Sequence, residues 1–180
     1  SDWQTERRFG GGYLLNWGAH VVEPPLLLAG GRVSSVYGRM RQVINPGDVE
    51  DVFLGLFTMA DGTIVQAEYT MSAAPLVSWV VQGTEGTITV DGMRLVTRRV
   101  RPSKPTDPTR YATMDAAGAE MTEETLTGAI YGDEHEIYRE IAASLRGERQ
   151  YSVLPEEALE LTRALDALRR SDREERIVAL

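Results

Sequence analysis

The chain contains no cysteine, a single lysine and only two histidines in 180 residues. Without cysteine it forms no disulfide, offers no thiolate nucleophile and builds no cysteine-ligated metal site, a composition suited to a reducing compartment. Its two imidazoles, His20 and His135, lie far apart in sequence, and a metal site would want further histidines or carboxylates beside them, so no metal is expected. No apolar run reaches the roughly 18–20 residues that a membrane-spanning helix needs. The opening "SDWQTERRFGGG" lacks the basic start and apolar centre of a secretion signal. A cytoplasmic protein with no membrane partner is expected. The net charge of −8 argues against nucleic acid, because phosphate binding depends on clustered Lys and Arg that release counterions.

Two sequence signatures are also missing. No G-x-G-x-x-G turn opens a βαβ unit: the glycines at Gly10–Gly12 precede a helix but follow no strand, so no dinucleotide cradle is expected on this chain. Ser34, Ser35 and Ser78 stand in strand-like segments without a G-x-S-x-G elbow, which leaves a serine hydrolase unsupported. The one basic cluster, "RLVTRRVRPSK", reads as an edge strand and the loop after it, where charges block edge-to-edge pairing.

What is present has the profile of one soluble globular domain over residues 1–180, with 42% hydrophobic and 26% charged residues. A helix begins near Gly12 and should break or bend at Pro24 and Pro25. Six short, β-branched or aromatic segments follow: "RVSSVYGRMRQV", "VEDVFLGLFTMA", "TIVQAEYTMS", "LVSWVVQG", "GTITVDG" and "MRLVTRRV". Asp61-Gly62 and Asp91-Gly92 supply hairpin turns and "GTEG" a further reversal. Arg101 to Gly128, rich in proline and without a period, reads as a long mobile surface loop. Its acids Glu120, Glu123 and Glu124 read as solubilising. Two amphipathic helices come next, one with Ile137, Ile141 and Leu145 in a row, the other with Ala158, Leu161, Leu165 and Leu168. Pro155 suits a first helical turn, and "RIVAL" should rejoin the sheet. The expected fold class is α+β: a largely antiparallel open sheet of about six or more strands with helices on one face.

The first helix carries the most distinctive pattern. Tyr13, Asn16, Trp17 and His20 are spaced three, four and seven apart, so they share one side of the helix. A lone histidine there admits three readings: packing, acid/base chemistry or metal ligation. Glu23, three residues beyond His20, falls on the same face and could orient the ring, or simply be a solvated helix end. His135, among acids in "GDEHEIYRE", reads as a solvated helix start with no assigned role.

Several separated motifs then occur in a telling order: "GGGYLLNWGAHVVE", "VEDVFLGLFTMADGTIVQAEYTMS", "WVVQGTEGTITVDG" and "EIYREIAASLRGERQYSVLPEEALELTRALDALRRSDREERIVAL". From about Gly10 to Leu180 the chain resembles the C-terminal domain of the Gfo/Idh/MocA oxidoreductases. The resemblance implies a dihydrodipicolinate-reductase-like sheet domain that covers the nicotinamide end of a preceding Rossmann domain. It implies hydride transfer between NAD or NADP and a sugar, polyol or related alcohol, with the cofactor bound mainly by that missing N-terminal domain. The family helix pattern, G-G-G then aspartate, histidine four later and an acid three after that, falls on Asn16, His20 and Glu23. Asparagine can hold a substrate hydroxyl but takes no proton. The family's catalytic lysine, from an E-K-P segment of the Rossmann domain, has no counterpart here, since Lys104 stands in the loop.

Together these point to His20 as the catalytic residue, with Asn16, Tyr13, Trp17 and Glu23 binding substrate. The expected protein is the substrate-binding and oligomerisation half of an NAD(P)-dependent oxidoreductase, inactive by itself. Its expected partners are its Rossmann domain and further copies of itself, joined through the open sheet face bearing Val65, Ala67 and Tyr69 or their neighbours. The alternative is a non-enzymatic binding or dimerisation module of the same fold.

Overall fold

A computed structural model describes residues 3–100, 107–111, 118–129 and 132–180. In chain order the elements are α1 (Tyr13–Ala29), β1 (Val33–Arg41), β2 (Val52–Met59), β3 (Ile64–Thr70), β4 (Trp79–Gly83), β5 (Gly86–Asp91), β6 (Arg94–Arg99), β7 (Glu120–Thr125), α2 (His135–Leu145), α3 (Pro155–Glu174) and β8 (Val178–Ala179). They fall into two compact units, Ser1–Ala73 with Arg149–Leu180, and Ala74–Glu148. The α+β, antiparallel class holds, with the strands divided between two sheets of four: β3-β2-β1-β8 and β4-β5-β6-β7.

In the first unit, strict alternation along β2 decides which face is buried. Phe53, Gly55, Phe57 and Met59 are buried and the residues between them are half-exposed, as a strand with one covered face requires. Leu14, Val22 and Leu26 of α1, and Ala164, Ala167 and Leu168 of α3, complete this core. Each fully buried large side chain contributes about 1.5–3 kcal/mol over leaving it in water. Val65 and Ala67 of β3 are buried in the same core, and Tyr69 packs against it, while Ile64, Gln66 and Glu68 alternate with them on the open side. Of the two sets on β3, the open face therefore bears the neighbours Ile64, Gln66 and Glu68, not Val65, Ala67 and Tyr69. The reason is the period of two: the apolar set of β3 takes the covered face.

Helix α3 seats itself through a glycine notch. Gly38 and Gly55 are cross-strand partners, and a Cβ on either would come within 2.7 Å of Leu168. The same helix closes the free edge of β1 beyond its short pairing with β8: the Gly38 N–H donates to Ser171 Oγ at 2.9 Å and the Met40 N–H to Asp172 Oδ1 at 2.9 Å. An edge that would otherwise offer bare donors is thereby satisfied. At the other end of α3, Pro155 occupies the first turn and Glu157 reaches back to accept the Leu154 N–H at 2.9 Å.

Four expectations require correction. Helix α1 runs unbroken through Pro24 and Pro25; each lacks the N–H that would pair with the carbonyl four residues back, yet Leu26 beyond them is anchored in the core, and tertiary burial outweighs local propensity. The long loop contains a strand, since Glu120–Thr125 pairs with β6 throughout. Consequently β6 is an inner strand flanked by β5 and β7, and its arginines do not guard an edge. Arg94 instead makes a two-pronged pair with Glu123, both N···O distances being 2.7 Å, so Glu123 has a cross-strand partner and is not merely solubilising. Of the stretch from Arg101 to Gly128 expected to be a mobile loop, segments 101–106 and 112–117 lie outside the described residues.

In the second unit, the apolar row of α2 is present but exposed, Leu145 by 84%. Among the described residues no helix is long and apolar enough to cross a membrane, and no cluster of His, Asp and Glu could hold a metal ion.

Candidate functional site

The start of α1 is set by residues far along the chain. Gly12, immediately before the helix, has φ +114°, and a Cβ there would lie 2.5 Å from Glu50 Oε1; only glycine suits both constraints. This close approach lets Glu50 cap the helix, its carboxylate accepting the Leu14 N–H at 3.0 Å and its backbone carbonyl the Tyr13 N–H at 3.2 Å. A negative group at this end is also favoured by the helix dipole.

Glu50 is itself held by its neighbour. Asp51 is fully buried and accepts the backbone N–H groups of Val43, Ile44 and Asn45 at 2.8, 2.7 and 2.6 Å, closing the β1–β2 connection around its carboxylate. Burial pushes the Asp51 carboxyl up, but these donors outweigh it and hold it below the usual aspartate value.

So anchored, α1 presents the expected stripe. Asn16, Trp17 and His20 are exposed and Tyr13 is half-buried. Tyr13 stacks on Tyr69 of β3, centroids 5.1 Å apart and planes 25° from parallel. Trp17 stacks on the same ring at 5.8 Å and 10°, and Phe53 lies beneath it at 6.1 Å. Trp17 is 44% exposed, and its ring and that of His20 lie 5.7 Å apart in a T-shaped arrangement, planes at 61°. Offset and edge-on pairs of this kind contribute about 0.5–1.5 kcal/mol each beyond area burial. Burial, and then the nearby Tyr13 phenol, push the Tyr69 phenol up.

The unbroken helix keeps Glu23 on the His20 side, half-buried. It makes no hydrogen bond to the imidazole among the described residues, so nothing in this geometry fixes the ring through Glu23. Trp17 is the aromatic neighbour of His20. His135 is exposed at the start of α2, its backbone N–H bonded to Asp133 at 2.9 Å. Sequence reasoning missed Tyr69 and Glu50 as parts of this site. The signal for Tyr69 was available: it continues the apolar set Val65, Ala67, Tyr69, opposite the polar Gln66 and Glu68.

A cavity of about 300 Å³ lies elsewhere in the first unit, between Arg32, Glu160, Arg163, Asp166 and Arg170. Its lining mixes both charges and contains no histidine.

A pyrophosphate has no cradle at the glycine-rich start of α1. The donors it would use there are taken by Glu50, whose carboxylate would also repel it. The stripe places an exposed imidazole, an exposed amide and an aromatic face on one side of α1.

Residues 1–89 match the family model described as the GFO/IDH/MocA C-terminal domain. Comparison with curated proteins gives no match. Among solved structures, an NAD-binding protein from Listeria innocua aligns over 99% of this chain and 50% of its own, at 23% identity and a TM-score of 0.78. The WlbA dehydrogenase from Bordetella pertussis, in complex with NADH and UDP-GlcNAcA, aligns over 100% and 48% at 18% identity and a TM-score of 0.62. A super-repressor mutant of Gal80p from Saccharomyces cerevisiae aligns over 99% and 52% at 14% identity and a TM-score of 0.69. At such identities the likeness is one of fold, and the chain spans about half the length of these structures. The chain belongs to the Gfo/Idh/MocA oxidoreductase family, whose C-terminal domain it carries.

Proposed function

We propose that this chain is the substrate-binding and oligomerising half of an NAD(P)-dependent oxidoreductase acting on a sugar, polyol or related alcohol, with His20 as its proton-transfer residue. The observation that carries the proposal is the α1 stripe, where an exposed imidazole lies beside an exposed amide and an indole fixed by stacking on Tyr69. The nicotinamide, bound by a domain outside this chain, supplies or accepts the hydride. His20 takes the hydroxyl proton when the alcohol is oxidised and returns it when the carbonyl is reduced, work open to an imidazole because its ring nitrogens can both accept and donate a proton. Asn16 accepts or donates a hydrogen bond to a neighbouring hydroxyl but moves no proton. Glu23 stands on the same helix face as a further polar contact for substrate.

The test is His20→Asn in the intact protein. Turnover should fall by roughly 100- to 10,000-fold, the span typical of a positioned acid/base, with a changed pH profile. Near-normal turnover with the parent's pH profile would remove His20 from the chemistry.

A second reading, a non-enzymatic binding or dimerisation module, draws on Asn16, which cannot take a proton, and on the likeness in fold to Gal80p, described as a super-repressor mutant. An intact protein that binds ligand and assembles normally, but turns over no alcohol with either NAD or NADP, would favour it.

A further inference from the structure

Residues 3–12, ahead of α1, take a defined path without burying anything apolar. Their two 3₁₀ turns, Trp3–Thr5 and Arg7–Phe9, contain no buried residue, and the side chains of Trp3 and Phe9 are 54% and 55% exposed. Hydrophobic burial, the usual reason for a segment to settle, is therefore not what holds them. Polar contacts do. The segment folds back on itself, the Gly11 N–H donating to the Glu6 carbonyl at 3.1 Å and the Gly12 N–H to the Gln4 carbonyl at 2.9 Å. One residue of the β1–β2 connection, Asp48, then engages it with all three of its polar groups. Its carboxylate accepts the Arg7 N–H at 2.7 Å, its carbonyl accepts from the Arg7 guanidinium at 3.0 Å, and its own N–H donates to the Thr5 carbonyl at 3.2 Å. Beside it the two backbones touch: Gly47 has φ +102°, and a Cβ there would lie 2.0 Å from the Thr5 carbonyl oxygen, so the contact requires glycine.

The same connection also serves α1, since Glu50 caps the helix and Asp51 closes the connection around its own carboxylate. Residues 47–51 thus grip the incoming segment with one end and the start of the helix that carries His20 with the other. Exposed polar contacts of this kind add little to global stability, but charge-assisted bonds of fixed geometry set direction. We infer that Arg7 and Asp48 are positioning residues: seated on Gly47, their clamp fixes the joining segment and so sets where a nicotinamide-binding domain ahead of Trp3 stands relative to α1. This rests on reading the chain as the substrate half of an oxidoreductase. Hydride transfer leaves little freedom between the two halves, because a misplacement of about 1 Å can cost about 10²-fold in rate. A joining segment free to swing would spread that separation over many values; the clamp confines it to one.

The experiment is double electron–electron resonance on the intact protein, in a background otherwise free of cysteine. One nitroxide sits at Arg169→Cys, an exposed position of α3, and the other on an exposed cysteine placed in the domain preceding Trp3. The parent should give one narrow distance distribution. Arg7→Ala combined with Asp48→Ala removes two of the three Asp48 bonds and should broaden or split it. Gly47→Ala forces the segment off the connection and should shift its mean. Asp48→Asn, which keeps an acceptor for the Arg7 N–H, should leave it narrow. The melting temperature of the double variant should stay within about 2–4 °C of the parent, as for other exposed polar pairs, which separates loss of position from loss of fold. A double variant whose distribution superimposes on the parent's overturns the inference, and so does a parent distribution that is already broad. The labels need neither cofactor nor turnover, so a protein that binds no NADH or oxidises no alcohol removes the oxidoreductase reading while these distances still decide the clamp.

Discussion

The carboxylate of Glu50, two residues before β2, accepts the backbone N–H of Leu14 in the first turn of α1, 36 positions earlier, at 3.0 Å. The strand that forms the floor of the core thus fixes the start of the helix bearing the candidate site. Glu50→Ala removes both the acceptor and the charge, and should cost about 0.5–2 kcal/mol, as other lost N-terminal caps do. Glu50→Gln keeps an acceptor oxygen and should cost about 0.3–1 kcal/mol through the dipole alone. Urea unfolding midpoints order the three proteins; an alanine variant as stable as the parent would mean that the contact holds nothing.

Asp51 makes the fold acid-sensitive. Its folded carboxyl lies below the ordinary aspartate value, so its contribution is complete above the unfolded value of about 4 and is lost as pH falls through the lower folded value. Asp51→Asn turns a three-fold acceptor into a group with an N–H₂ among donors, and should cost about 1–3 kcal/mol at neutral pH. The gap between parent and variant should narrow as the pH is lowered below 4. Paired denaturation curves at several pH values test this, and a gap independent of pH would refute the assignment.

Gly38→Ala should destabilise the first unit by about 1–3 kcal/mol, since its Cβ would lie 2.7 Å from both Cγ and the backbone carbonyl of Leu168. In a Leu168→Ala background the penalty should shrink without vanishing, because the backbone oxygen remains. A double-mutant cycle with no coupling would show that α3 does not sit in the notch as described.

Self-association through the open face of the first sheet should depend on its central residues. Leu54 and Leu56 of β2 lie on that face between Arg39 and Tyr37 of β1 and Glu68 and Gln66 of β3. Leu56→Glu should therefore shift sedimentation toward monomer while leaving the thermal melt of the monomer near that of the parent. A parent chain that sediments as a monomer at about 10⁻⁵ M, a concentration at which a micromolar complex would be assembled, would count against the proposal.

The sequence by itself determined the segments and the stripe. Alternation and turn pairs marked six strands, heptad-like spacing marked the helices, and Tyr13, Asn16, Trp17 and His20 were bound to share one side of α1, because these are properties of neighbours along the chain. Pro24 and Pro25 were misread because their local penalty is visible in sequence, whereas the burial of Leu26 that overrides it is not. β7 was missed because "EMTEET" has no apolar alternation of its own; it exists through ladder bonds to β6 and the pairing of Glu123 with Arg94. Only the tertiary structure brought Tyr69 beneath Trp17 and Glu50 to the start of α1, because contacts 52 and 36 positions apart arise from how the helix lies across the sheet, which no local period encodes.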